Sequence, residues 1–160
     1  MNIHKRALAA AAVAAIGAGA AVPAITGAQV SSAKTQTLHF FDKPVSISLT
    51  KAGGKVVSHP PYPQAQAGDV LNVYSLDYPG NHSHHASHWT MSTHLSCTFA
   101  QGPPSCIGNV AVGGSLLVFD GTKLVGATGA YQGATGRVLS NKEIPGADDQ
   151  SDIVVRIKRR

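Results

Sequence analysis

Residues 88–100 alternate without a break: Trp89, Met91, Thr93, Leu95, Cys97 and Phe99 share one face, and His88, Thr90, Ser92, His94, Ser96 and Thr98 share the other. A period of two is that of a β-strand with one buried face. Residues 152–158 repeat the pattern, with Ile153, Val155 and Ile157 opposite Arg156 and Lys158. Further extended runs are predicted at 38–41 with 45–50, 70–77, 107–120 with a bulge at Gly113-Gly114, 123–125 and 136–142. Turn residues separate them: Gly53-Gly54 and Asp120-Gly121 read as hairpins, and Tyr78-Pro79-Gly80 as the end of a run. The stretch His59-Pro60-Pro61-Tyr62-Pro63 cannot be a central strand, because proline has no N–H for the ladder. No long amphipathic helix is legible after residue 28. Six to eight short strands with frequent turns predict an all-β antiparallel barrel or sandwich. In so small a chain, closure into a barrel is the direct way to remove sheet edges.

The chain begins Met1-Asn2-Ile3-His4-Lys5-Arg6, followed by an Ala-rich apolar stretch to Val22. A basic end, an apolar middle and small residues beyond read as a secretory signal peptide. The stretch is short and only weakly hydrophobic for a membrane anchor. Cleavage is expected after Ala28, with Ala33 as the alternative. That divides the chain into a signal peptide (1–28), a flexible leader (29–36) and one barrel domain (37–160), secreted and without a further membrane span. The whole-chain charge of +5 falls to +3 once Lys5 and Arg6 leave. Four of the remaining positives, Arg156, Lys158, Arg159 and Arg160, read as a solvated tail. Without a basic face interleaved with aromatics, nucleic-acid binding is not expected. Export implies an oxidising compartment. There, Cys97 and Cys106, flanking the turn-rich 100–105, are expected to close a hairpin loop with a disulfide.

Two stretches resemble a known family. Gly68-Asp69-Val70-Leu71-Asn72-Val73-Tyr74 resembles the Gly-Asp-led strand of allene oxide cyclases. The run from Gly126 to Val138, with Gly126-Ala127-Thr128-Gly129, the aromatic Tyr131, Gly133-Ala134 and Gly136-Arg137-Val138, is similar to the late motif that family shares with dirigent proteins. The resemblance implies an eight-stranded antiparallel barrel with an apolar lumen, and covers about residues 36–158. The family's active-site pattern is kept less well. His39 stands near the position of a first-strand Glu, with no acid until Asp42. Ser75 replaces a lumen Asn, and Gln132 stands where dirigent proteins carry an Arg. Cys97 falls near a lumen cysteine. The dirigent aspartates have no counterpart legible in the sequence.

Each candidate for chemistry has a structural alternative. His94 points to water if the apolar face packs inward, and becomes a general base if the lumen is partly polar; His39 has the same ambiguity. Asp69 is either a functional carboxylate or an acceptor for backbone N–H groups at a strand start. Ser75 is a weak catalytic candidate through the resemblance. His82, His84, His85 and His88 hold four of the eight histidines and suit Zn²⁺ or Cu²⁺, but read better as a polar loop. Asp148, Asp149 and Asp152 lack Ca²⁺-loop spacing. Glu143 is the only glutamate, a shortage that argues against hydrolases needing two carboxylates, and no phosphate loop or nucleophile motif is present. No cofactor is expected.

The leading reading is a barrel that binds a small hydrophobic molecule and steers its cyclisation or coupling by shape. If it is an enzyme, it is an isomerase or cyclase of that kind; the sequence leans towards a non-enzyme. Trp89, Met91, Leu95, Phe99, Phe119 and Tyr131 are the expected lumen or core residues, and a lumen of eight strands is either filled by them or hollow. The alternatives are an extracellular or cell-envelope interaction module using 60–63 and 81–88, and a secreted histidine-loop metal binder. A homo-oligomer fits the sequence as well as a monomer.

Overall fold

The computed structural model describes residues 34–58, 63–147 and 149–159. The expected signal peptide, the leader as far as Ala33, and most of the proline-rich stretch lie outside the described residues. Ten strands follow in order: β1 (Thr35–Thr50), β2 (Val56–Val57), β3 (Val70–Asn81), β4 (His84–His85), β5 (Met91–Thr98), β6 (Ser105–Val112), β7 (Ser115–Asp120), β8 (Lys123–Ala127), β9 (Thr135–Glu143) and β10 (Ser151–Lys158). A 3-10 turn occupies Gly129–Tyr131. Strands β1, β3 and β5 to β10 form a closed, eight-stranded antiparallel barrel, with β10 returning to β1 and β1 also pairing with β3. Among the described residues no helix is long and apolar enough to cross a membrane.

Closure rests on the length of β1. Its first half, Thr35 to Asp42, pairs with β10, and its second, from Phe40 to Thr50, pairs with β3. The two runs expected at 38–41 and 45–50 are therefore one strand. Between them a bulge at Pro44 to Ser46 absorbs the proline and leaves Val45 exposed. Residues 35 and 36, expected in the leader, are already strand, because Lys158 and Ile157 supply their ladder partners.

Two turn assignments change. The run expected at 107–120 is not one bulged strand but the β6–β7 hairpin, because Gly113 and Gly114 both take positive φ (52° and 75°) and close a two-residue turn. Strand β3 does not end at Tyr78-Pro79-Gly80 but continues to Asn81. Pairing with β5 ends at Asp77, so Pro79 faces no ladder partner that needs its N–H, and its carbonyl accepts from Ala86 N (2.8 Å). Gly80 (φ 116°) must be glycine, since a Cβ there would collide with His84 backbone. The chain can thus fold back as β4 over the outer wall, where the His85 ring packs on Phe41 (5.0 Å between centroids) and Tyr78 (5.4 Å).

The barrel is solid at one end. Met91, Leu117, Leu124, Tyr131, Val155 and Ile157 are buried together with Phe40, Val110 and Phe119. The segment around the 3-10 turn is stitched beneath them: Thr128 N donates to Leu116 O (2.9 Å), Leu116 N to Thr128 Oγ1 (2.9 Å) and Ala130 N to Ser115 Oγ (3.0 Å). Gly129, at φ 58°, leaves the room that Ser115 occupies. Tyr131 thereby closes the barrel's end, with the Arg159 guanidinium 5.5 Å from its ring centroid. Arg156 and Lys158 are solvated, as expected, and project from the outer face of β10.

Candidate functional site

The other end of the barrel encloses a cavity of about 600 Å³. Alternation aims Ile47 and Leu49 of β1, Leu71 and Val73 of β3, Leu95 of β5, and Val138 of β9 into it, and Phe40, Val110, Phe119 and Val155 form its floor. Phe99, Pro63, Gly121 and Thr122 stand at one side of the mouth, and Asn141, Glu143 and Asp149 at the other. The wall of β6 contributes Gly108, whose missing side chain leaves space between Leu95 and Phe119.

Polar groups interrupt this surface at one depth. Asp42 on β1 and Asp77 on β3 are directly opposite in register, and both are buried, Asp77 with no exposed surface at all. Ser75 Oγ donates to Asp42 Oδ1 (3.2 Å), and Thr93 Oγ1 from β5 donates to Asp77 Oδ2 (2.7 Å). Asp77 Oδ1 has no hydroxyl or amide partner among the described residues. Burial away from water, and after it the adjacent Asp42, push the Asp77 carboxyl up to about 8 against the Thr93 hydrogen bond. Burial also raises Asp42, opposed by its hydrogen bonds with Asp77 and Ser75. Two carboxyls this close do not both ionise readily, so the pair retains a proton at neutral pH, carried by Asp77 and donated towards Asp42.

Of the expected lumen residues, Leu95, Phe99 and Phe119 line the cavity. Met91 and Tyr131 belong to the solid end. Trp89 is 53% exposed: the alternating pattern runs past the strand, which starts only at Met91. Among the catalytic candidates, only Ser75 reaches the lumen. His39 is exposed on the outer wall. His94 is also on the outer wall, its ring stacked on Tyr74 (4.2 Å, 7° between planes), with Nε2 buried and unpartnered. Asp69 is buried in the loop clamp before β3. It accepts from the Lys51 ammonium and from the N–H groups of Ala52 (3.0 Å) and Gln66 (2.7 Å). Lys51 is the main reason its carboxyl lies below the usual range, and the two backbone donors add to it against the cost of burial. That is the turn-satisfying role.

The histidine loop is a folded hairpin rather than a chelating cluster. His82 Nδ1 and N contact Asp152 Oδ2 (2.6 Å) and Oδ1 (2.7 Å), His85 Nδ1 contacts Ala86 O (2.8 Å), and His88 Nδ1 contacts Ser87 Oγ (2.9 Å). Among the described residues no three His, Cys, Asp or Glu side chains converge on a point where a metal could sit. Cys97 and Cys106 are paired in register on β5 and β6 and form a disulfide (Cα to Cα 4.0 Å) at the hollow end.

Asp42 and Asp77 are the site residues that sequence reasoning missed. The signal for Asp77 was there, since Leu71, Val73, Ser75 and Asp77 share one face of β3. Asp42 was hidden by the apparent break at Asp42-Lys43-Pro44, which made it look like a turn residue. Comparison with family models, curated proteins and solved structures finds no match to this chain.

Proposed function

We propose that this barrel binds a small, largely apolar molecule in its lumen and holds it in a folded conformation against the Asp42–Asp77 pair. The observation that carries the reading is the cavity of about 600 Å³, apolar along its shaft and lined at depth by the buried Asp42, which pairs with Asp77. Ligand sites are typically apolar pockets of roughly 300–1,000 Å³ with a few convergent polar groups. Confinement of a flexible molecule lowers the entropic part of a cyclisation barrier, and a proton held by the carboxyl pair can reach an oxygen of the bound molecule through Asp42, the member that lines the lumen. The resemblance of 68–74 and 126–138 to allene oxide cyclase and dirigent barrels supports the same reading. The basic-then-apolar start supports export, as does a disulfide, which persists in oxidising compartments.

Gly108 offers the test. It has an ordinary backbone conformation, and a Cβ there would lie 3.8 Å from both Leu95 and Phe119, which is normal contact. Gly108→Leu therefore fills the shaft without backbone strain. Native mass spectrometry of the purified protein is expected to find a co-purified apolar molecule, or to accept an added one, in the wild type and not in Gly108→Leu. Equal uptake by both, or a bare apo mass for the wild type from several hosts and with added ligands, overturns the reading.

A further inference from the structure

Resting on that reading, we infer which polar group the ligand carries: the lumen selects a neutral hydroxyl, which accepts a hydrogen bond from Ser151 and donates one to Asp42. Ser151 opens β10 and is only 6% exposed. Its partners across the sheet are Asp42 on β1 and Glu143 on β9. Both neighbours end in a carboxyl, yet the Ser151 hydroxyl makes no hydrogen bond to any described residue. It lines the cavity instead. Buried hydroxyls ordinarily find a partner, and one left without it on the wall of an open cavity marks where a ligand atom completes the bond.

The groups around Ser151 decide what that atom is. Ser75 and Thr93 spend their hydrogens on Asp42 and Asp77, which leaves Ser151 as the donor beside Asp42. Asp42 accepts from Ser75 and bonds to Asp77, but a carboxylate has about four acceptor positions and keeps room for a further donor. The ligand therefore meets one donor and one acceptor side by side. A hydroxyl complements both, with one hydrogen and two lone pairs. An ether oxygen has no hydrogen for Asp42, and a carboxylate brings a like charge besides. An ammonium has no lone pair for Ser151. Thr122, Asn141, Glu143 and Asp149 stand at the mouth, where Glu143 is exposed to water. The apolar lining from Leu71, Val73 and Leu95 takes the rest of the molecule.

The experiment uses the full chain and the neutral fluorescent probe N-phenyl-1-naphthylamine. Octanol, octyl methyl ether, octylamine and octanoate compete for the probe at neutral pH, each below its micellar concentration. Octanol is expected to displace the probe at a concentration about tenfold lower than any of the other three, the scale of one well-made hydrogen bond. Ser151→Ala is expected to keep the probe and to bring octanol and the ether within about threefold of each other. Because the lost hydroxyl has no partner in the fold, the variant is also expected to melt no lower than the wild type. Displacement by the ether, the amine or octanoate equal to or better than that by octanol overturns the hydroxyl inference and leaves the lumen-binding reading standing. An octanol preference that survives in Ser151→Ala, or a clearly lower melting temperature of that variant, does the same. Failure of the wild type to bind the probe or any of the four competitors, with no shift of its melting temperature, overturns the lumen reading and the inference together.

Discussion

The same eight strands build a packed floor at one end of the barrel and an open shaft at the other. At the packed end the inward positions carry Met91, Leu117, Leu124 and Ile157, and Tyr131 is fastened beneath them. At the open end the inward positions carry Val73, Thr93, Val138 and Gly108, and none of the described segments is tucked into the space. Alternation decides which side chains face in; their summed volume, and the presence of a plug, decide whether the interior is full. The boundary between the two regimes is where Asp42 and Asp77 sit. A carboxyl pair there is buried beside an open cavity, which is costly in a core and useful beside a ligand.

The largest effect is expected at the floor. Leu117 is 1% exposed and surrounded by side chains, so Leu117→Ala leaves a cavity that its neighbours cannot fill. Urea unfolding should show a loss of about 3–4 kcal/mol, within the usual range for buried leucines. A loss below about 1 kcal/mol would mean that the floor is as loosely packed as the shaft. Next comes the disulfide at the hollow end. Cys97→Ala with Cys106→Ala should cost roughly 2–3 kcal/mol, the value for a short closed loop. The distinguishing readout is hydrogen exchange. Protection should fall first in β5 and β6 around Leu95 to Ile107, while amides near Leu117 and Val155 hold. Uniform loss of protection would show that the two ends unfold as one unit.

How much of this was legible in the sequence follows the same division. Strand phase was legible because a sheet with one wet face and one dry face writes its period into the residues; 91–98 and 151–158 needed only trimming. The hairpin at Gly113-Gly114 was not, because two glycines serve a bulge and a turn alike, and only pairing partners distinguish them. Continuity of β1 through Pro44 and of β3 through Pro79 depended on bulge and edge geometry that long-range partners set. The lumen was legible as a set of apolar residues, but not as a hollow, since volume summed around a ring of eight strands is a property of register. Asp42 on β1 and Asp77 on β3 lie 35 positions apart in the sequence, and only that register brings them face to face.

The carboxyl pair makes the boundary sensitive to pH, with a sign opposite to that of Asp69. Asp77 titrates near 8 in the folded chain and near 4 when unfolded, so its contribution is complete below about pH 4 and is lost as the pH rises towards 8. The slope should approach about 1.4 kcal/mol per pH unit in that window, the equivalent of one proton. Asp69, held low by Lys51, behaves in reverse: its contribution is present above about pH 4 and is lost on acidification. Melting temperature should therefore peak in mildly acid buffer. Asp77→Asn should remove most of the fall between pH 5 and 8, leaving the smaller part that belongs to Asp42. A profile identical to that of the wild type would show that Asp77 is hydrated or already ionised in the folded state.

The smallest expected effect is the most pointed comparison with the floor. Leu95 and Leu117 are the same residue type, both inward, on β5 and β7. Leu117 has neighbours on every side, while Leu95 borders empty space and is only partly buried. Contacts never made cannot be lost, so Leu95→Ala forfeits little beyond its own transfer from water, roughly 1 kcal/mol. It also widens the shaft where Gly108 already leaves room. The variant should accordingly melt within a few degrees of the wild type yet change which ligand lengths and widths compete best for a lumen probe. If Leu95→Ala instead matches Leu117→Ala in urea, then side chains close over the shaft in the free protein, and the hollow end is a cavity that ligand must open.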